Sequence, residues 1–475
     1  MKAHQHNCSN GGTKGIGAQP HGDWSAFLLQ RRYLFIWFVI ALIPFAVVRA
    51  YFWHDQAVYE PDTPVDDSSH QTANNRSNPA PISLEQYTKP NNSVNSIGGT
   101  LNKHNSIEGT NGDHNSTFSS GADGECDLSN GKWIPDPSGP FYTNETCRAI
   151  QEHQNCMKHG RPDTDYLHWR WRPDSCELPQ FNAAGFLNLV RGKILAFIGD
   201  SIGRNHMQSL VCLLSQVEDP RDIYNDGTDK FRRWYFPSYN FTLAVLWSPF
   251  FVKETTKEIE GTTRDQLKLH LDVADDRWTS ELHEFDIVLI SGGQWFLKSS
   301  IYLEKDEVVG CHYCPGTNYT QLGFYFAYRK ALRLAFKVLT SSPEYKGLTF
   351  LRTFTPDHFE NGRWDNGGSC ERTLPYKNNE ITMDGINIEM YKIQSEEFKK
   401  AAKEGAARGL KFKLLDTTWL SLLRPDGHPG PYRYSYPFAK DKNAKVQNDC
   451  LHWCLPGPID TWSEFLLEFL KRESE

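Results

Sequence analysis

The chain has 475 residues, 39% of them hydrophobic, with 14 Trp, 20 Tyr and 28 Phe. That much apolar and aromatic material supports a large core and excludes wholesale disorder. The net charge of −7, from 51 basic and 58 acidic residues, argues against broad nucleic-acid binding, which needs a strongly basic surface. No stretch repeats at a fixed period, so solenoids and propellers are excluded.

Residues 1–32 read as a cytosolic tail and residues 33–53 as a transmembrane signal anchor. Tyr33 to Val48 carries no charge, and the apolar run resumes after Arg49 to reach Trp53. About 20 such residues span a bilayer, and the flanking aromatics suit its interfaces. The run starts too late for a cleaved signal peptide, and no small-residue cleavage site follows. Lys2, Lys14, Arg31 and Arg32 precede it, whereas Asp55, Glu60, Asp62, Asp66 and Asp67 follow. The positive-inside rule therefore predicts a single-pass type II protein with its bulk in the lumen.

Residues 54–121 are rich in Asn, Ser, Thr, Gly and Pro and poor in large apolar residues, as in a disordered luminal stem. Glycosylation sequons stand at Asn75, Asn91, Asn115, Asn144, Asn240 and Asn318. An anchor, a stem and a large luminal domain are the layout of a Golgi-resident membrane enzyme.

In that compartment disulfides persist, and ten Cys lie between Cys126 and Cys454. Cys311-His-Tyr-Cys314 and Cys450-Leu-His452-Trp-Cys454 also have the spacing of zinc-ligand pairs. Disulfides without a bound metal are the expectation. Residues 122–180 form a Cys-rich, loop-rich lobe, and residues 181–475 form the catalytic domain.

In that domain Lys193 to Asp200 is an apolar run suited to a buried parallel strand, and Arg204 to Ser215 has helical spacing. Further strands are expected at 241–248, 285–291, 348–354 and 412–418, with helices at 321–339 and 383–408. Alternating strands and helices imply an α/β sandwich with a mainly parallel sheet.

Ser201 follows the first strand, at the carboxyl edge of the sheet where open α/β folds bind ligands. The helix start behind it offers N–H groups to a developing oxyanion, and Gly199 permits a sharp turn and close approach. The competing reading makes Ser201 an N-cap only. A Ser nucleophile needs a base, and the base an orienting acid. Asp449 precedes His452 by three residues, and Cys450 and Cys454 flank His452 and would fasten this loop. Asp357 and His358 form a second acid–base pair, without a nucleophile nearby in sequence.

Gly199-Asp200-Ser201-Ile-Gly-Arg204-Asn205 together with Asp449-Cys-Leu-His452-Trp453-Cys454-Leu-Pro-Gly457 resembles the plant trichome birefringence-like family. The segments CDLSNGKWIPD, GPFYTNETC, GRPDTDYLHWRWRPDSCELPQF and FTPDHFENGRWDNGGSC fit it too, so the resemblance covers about 126–475. It implies a GDSL/SGNH-like three-layer sandwich in a Golgi type II protein that acetylates cell-wall polysaccharides. It implies Ser201 as nucleophile, His452 as base and Asp449 as its orienter. It also implies disulfides Cys126–Cys176, Cys147–Cys212, Cys156–Cys454 and Cys370–Cys450, with Cys311–Cys314 as a further local bridge. Many relatives have Gly-His-Trp-Trp where this chain has Gly292-Gly293-Gln294-Trp295-Phe296. With the Cys-His-Tyr-Cys insertion, this points to the xyloglucan branch rather than xylan or mannan.

The implied chemistry is acetyl transfer through an acetyl-Ser201 intermediate. Backbone N–H groups near Ser201 and Gly293, with the Asn205 amide, are expected at the oxyanion. Arg204 and Asp200 are expected to position the loop, and Trp295, Trp364 and Trp453 are the candidates for stacking on sugar rings. No bound cofactor is expected. The acetyl source is a co-substrate such as acetyl-CoA or a relay from another membrane protein. A secretory acetylesterase and a non-catalytic polysaccharide-binding protein are the other classes that the sequence admits.

Overall fold

The computed structural model describes residues 126–257 and 266–474. The expected tail, anchor and stem, with Asn75, Asn91 and Asn115, lie outside the described residues. Among the described residues no helix is long and apolar enough to cross a membrane.

Strands β1 (Gly131–Pro135) and β2 (Trp169–Pro173) pair antiparallel and give a small sheet to a lobe expected to be largely irregular. Helix α1 (Ala183–Leu189) leads into β3 (Ile194–Gly199) and α2 (Ser201–Leu214). Then come β4 (Arg221–Asn225), β5 (Phe231–Phe236), β6 (Phe241–Trp247), β7 (Val252–Lys257) and β8 (Gln266–Ala274). After β9 (Ile287–Ser291), β10 (Ser300–Glu304) and β11 (Glu307–His312), the chain enters α3 (Phe324–Ser341). The remainder is β12 (Leu348–Arg352), α4 (Gly385–Ala406), β13 (Lys411–Leu415), α5 (Thr418–Leu422) and α6 (Asp460–Ser474).

The main sheet has the order β13-β12-β9-β3-β6-β5-β4. Its strands are parallel from β13 to β6, and β5 and β4 are added antiparallel. Alternate residues of β3 face opposite ways, as a strand requires. Leu195 and Phe197 pack with Phe186, Leu210 and Phe465 of α1, α2 and α6. Ala196 and Ile198 belong to the other core, with Leu332 of α3 and Met390 of α4. Helices therefore cover both faces, which is the expected three-layer sandwich.

A second sheet, β11-β10-β8-β7, was not expected. It turns Leu269, Leu271 and Tyr302 into the core that contains α3. The helix expected from 321 begins at Phe324, because Gln321 bridges to Cys311 and Gly323 turns with φ of 74°. The five disulfides are those implied by the family resemblance. They consume every thiol of the competing zinc arrangement, and among the described residues no cluster of three metal-binding side chains occurs.

Candidate active site

The nucleophile turn is built by close approach of three strand ends. Gly199, last in β3, is paired with Trp247 of β6 and Ser291 of β9. A Cβ on Gly199 would lie 1.7 Å from the Ser291 carbonyl oxygen, so no side chain fits there. Asp200, not Ser201, caps the following helix: its Oδ1 accepts the N–H groups of Ile202 at 3.0 Å and Gly203 at 3.4 Å. The cap reading of Ser201 is thereby corrected. So is the expectation of unclaimed N–H groups, since Asp200 takes two of them. Ser201 becomes the first helical residue, with its hydroxyl released from capping. Burial pushes the Asp200 carboxyl up, against the pull of the buried Arg352 guanidinium.

Three side chains distant in sequence meet at this turn. Ser201 Oγ donates to His452 Nε2 at 2.8 Å, and His452 Nδ1 donates to Asp449 Oδ2 at 2.9 Å. Asp449 Oδ1 also accepts the backbone N–H groups of Leu451 at 3.2 Å and His452 at 3.0 Å. Burial alone would raise the Asp449 carboxyl. The charge and hydrogen bonds of His452, assisted by Arg433, outweigh it and hold the group well below the carboxylate range. A hydroxyl bonded to an imidazole that is itself oriented by a buried carboxylate is the arrangement that makes a serine nucleophilic.

The base loop is fixed from several sides. Cys450 is tied to Cys370 and Cys454 to Cys156, so a disulfide closes on each side of His452. Asp449 exchanges backbone hydrogen bonds with Gly430 at 2.9 and 3.0 Å. Nδ1 of the buried His428 donates to the His452 carbonyl at 2.7 Å.

The other expected site residues separate into groups. Asn205 is fully buried: its Oδ1 accepts the Trp453 N–H at 2.7 Å, and its Nδ2 donates to the Trp453 carbonyl at 3.3 Å. Its amide is committed to that peptide, which corrects the oxyanion assignment to a positioning one. Trp453 is also fully buried, stacked on His428 with ring centroids 4.4 Å apart, so it is corrected from sugar platform to core. Arg204 is buried, with its guanidinium over Trp247 and Nη1 donating to the Asp229 carbonyl at 3.4 Å. Trp295 is half-buried, edge-on to Trp247, with the Lys298 ammonium 3.4 Å from its ring centroid. Trp364 is 41% exposed. At Gly293 a Cβ would meet the Phe354 ring at 2.7 Å, and one on Gly292 would lie 3.6 Å from Asp200 Oδ2, which sets this loop against the nucleophile turn.

The second acid–base pair does not assemble: Asp357 is exposed, whereas His358 is buried and bonded to His428 and the Leu422 carbonyl. Burial lowers the His358 ring to about 4. Of the described sequons, Asn240 and Asn318 are exposed and Asn144 half-buried.

Sequence reasoning missed His153 and Arg433. His153 presents its ring edge-on to His452, with centroids 5.9 Å apart. Burial, then the His452 charge, lowers it to about 3, so it is a neutral neighbour of the base. The signal for it was its place three residues before Cys156, the partner of Cys454. Arg433 lies three residues beyond Gly430, and its charge acts on both Asp449 and His153.

Residues 178–469 match a family described as a GDSL/SGNH-like acyl-esterase family found in Pmr5 and Cas1p. Residues 124–177 match the PMR5 N-terminal domain. The chain is 54% identical to protein trichome birefringence-like 25 of Arabidopsis thaliana over 360 residues, covering 74% of this chain and 78% of that one. It is 49% identical to xyloglucan O-acetyltransferases 1 and 2 of Populus trichocarpa over 353 residues, covering 73% of this chain and 81% and 82% of theirs. Family match, relatives and fold converge: the chain belongs to the trichome birefringence-like family.

Proposed function

We propose that this protein is a Golgi type II polysaccharide O-acetyltransferase that acetylates xyloglucan, with side-chain galactose as the acceptor sugar. The observation that carries the reading is the hydrogen-bonded chain from Ser201 through His452 to the buried Asp449. The similarity to two xyloglucan O-acetyltransferases supports the substrate class.

His452 takes the Ser201 proton as Oγ attacks the donor acetyl carbon. The bond to the leaving group breaks, and that group departs with the proton from His452. A sugar hydroxyl then gives its proton to His452 and attacks the acetyl-Ser201 ester, which frees Ser201 Oγ to recover the proton. Backbone N–H groups of Ser201 and Gly293 are assigned to the oxyanion. Asp449 holds the imidazole with Nε2 facing Ser201 and stabilises the imidazolium. No resident cofactor takes part; the donor is a co-substrate, acetyl-CoA or an acetyl-supplying membrane protein.

The match to an acyl-esterase family favours one second reading, in which water replaces the sugar. Incubating the full-length protein with acetyl-CoA and a labelled xyloglucan oligosaccharide separates them. Acetylated oligosaccharide in excess of free acetate is expected. Acetate alone would make the protein an esterase, and neither product would leave it without this activity.

A further inference from the structure

We infer that Tyr434 and Trp364 form a stacking platform for pyranose rings of a neutral acceptor glycan, entered from the His452 end past His153 and Arg433. The inference rests on the functional reading above and names the surface that holds the acceptor.

The platform is exposed, aromatic and physically continuous with the base loop. Tyr434 and Trp364 are each 41% exposed, although large aromatics usually bury their rings. They sit on different loops joined by one side chain: Gln447 Nε2 donates to the Trp364 carbonyl at 3.1 Å, and Tyr434 OH donates to Gln447 Oε1 at 3.5 Å. Gln447 is two residues before Asp449, about 7 Å of extended chain. Asn448 Nδ2 donates to the Gly368 carbonyl at 3.2 Å, and Cys370–Cys450 closes the same pair of loops. On the other side, Gly430 is paired with Asp449 only four residues before Tyr434.

Arg433 borders the platform, with its guanidinium carbon 5.3 Å from the Tyr434 ring centroid. Arg433 directly precedes Tyr434 and lies three residues beyond Gly430, the residue paired with Asp449. Aromatic faces alternating with an arginine, a glutamine amide and a neutral imidazole suit a sugar chain: the rings meet its apolar C–H faces, and the polar groups meet its hydroxyls. Side chains on loops tied down by a disulfide, at Cys370–Cys450, and by backbone pairing, at Gly430 with Asp449, bind with less ordering cost than those on free loops.

The test is Trp364→Ala with Tyr434→Ala in the full-length protein, assayed with xyloglucan oligosaccharides of increasing length. The acceptor KM is expected to rise about tenfold for the longest oligosaccharides, with a smaller rise for the shortest. A merely structural role would depress all lengths alike and lower the melting temperature. The variant Trp364→Phe with Tyr434→Phe keeps aromatic faces and is expected to restore most of the affinity. Affinity electrophoresis of Ser201→Ala protein, with and without the alanine changes, reads binding without turnover. Unchanged mobility and unchanged KM at every length would overturn the platform. Failure of Ser201 to gain an acetyl group would instead overturn the functional reading, and the electrophoresis would still decide the platform.

Discussion

Asn205 grips the peptide of Trp453 from both ends, accepting its N–H at 2.7 Å and donating to its carbonyl at 3.3 Å. Asn205 is one turn along α2 from Ser201, and Trp453 follows His452 directly. This pair therefore sets how far the hydroxyl stands from the imidazole. Removing it as Asn205→Ala leaves two buried backbone groups without these partners, at a cost of about 1–3 kcal/mol. Urea denaturation should show that loss. kcat should fall further than stability alone explains, because small misplacements of a base are costly.

Asp449→Asn keeps the shape of the loop but removes the charge that orients and stabilises the imidazole. The expected result is a fall in kcat of about 10⁴-fold with little change in acceptor KM. Steady-state kinetics on the folded variant checks it.

The disulfides should differ in function. Cys370–Cys450 borders the base loop, whereas Cys126–Cys176 lies at the start of the N-terminal lobe. Either loss should cost about 2–4 kcal/mol of stability. Replacing Cys370 and Cys450 with Ser should also depress transfer at temperatures where the protein stays folded. The same change at Cys126 and Cys176 should leave the rate per folded molecule much closer to the parent.

Glu464 gives a pH prediction. It is 8% exposed, and burial raises it to about 8 from an ordinary value of 4.5, opposed by Arg170 and a backbone N–H and reinforced by Asp460. Between those values the folded protein retains a proton that the unfolded chain has released, so stability declines as pH rises through the window. Burial also raises Asp460 to about 6, which acts in the same direction at lower pH. The buried His153 and His358, lowered to about 3 and about 4, act in the opposite direction near pH 6, because the unfolded chain binds protons there that the folded protein does not. The Glu464 contribution is read against Glu464→Gln: the substitution should raise the melting temperature, relative to the parent, more at pH 8 than at pH 6.

Elements with a local signature were legible in the sequence. The buried strand before Gly199, the helix behind Ser201 and the Asp449–His452 spacing each declare themselves within a few residues. What depends on the fold as a whole did not. The strands β7 and β8 read VKETTK and QLKLHLDVA, whose mixed polarity does not announce a second sheet. Trp453 stands beside the base in sequence yet points into the core. His153 comes beside His452 only through the fold, three residues before Cys156, which is bonded to Cys454. Whether Asp200 or Ser201 caps the helix was not legible, because either residue in Gly-Asp-Ser can do so and only the backbone decides; Asp200 caps it, in keeping with its expected positioning role.

The central claim is that Ser201 carries the acetyl group in transit. Intact-mass spectrometry of the full-length protein, mixed with an acetyl donor and no acceptor, measures this directly. One added acetyl group that maps to the Ser201 peptide, disappears on addition of xyloglucan oligosaccharide and is absent from Ser201→Ala is the predicted result. Undiminished transfer to the oligosaccharide by the Ser201→Ala protein would contradict the account.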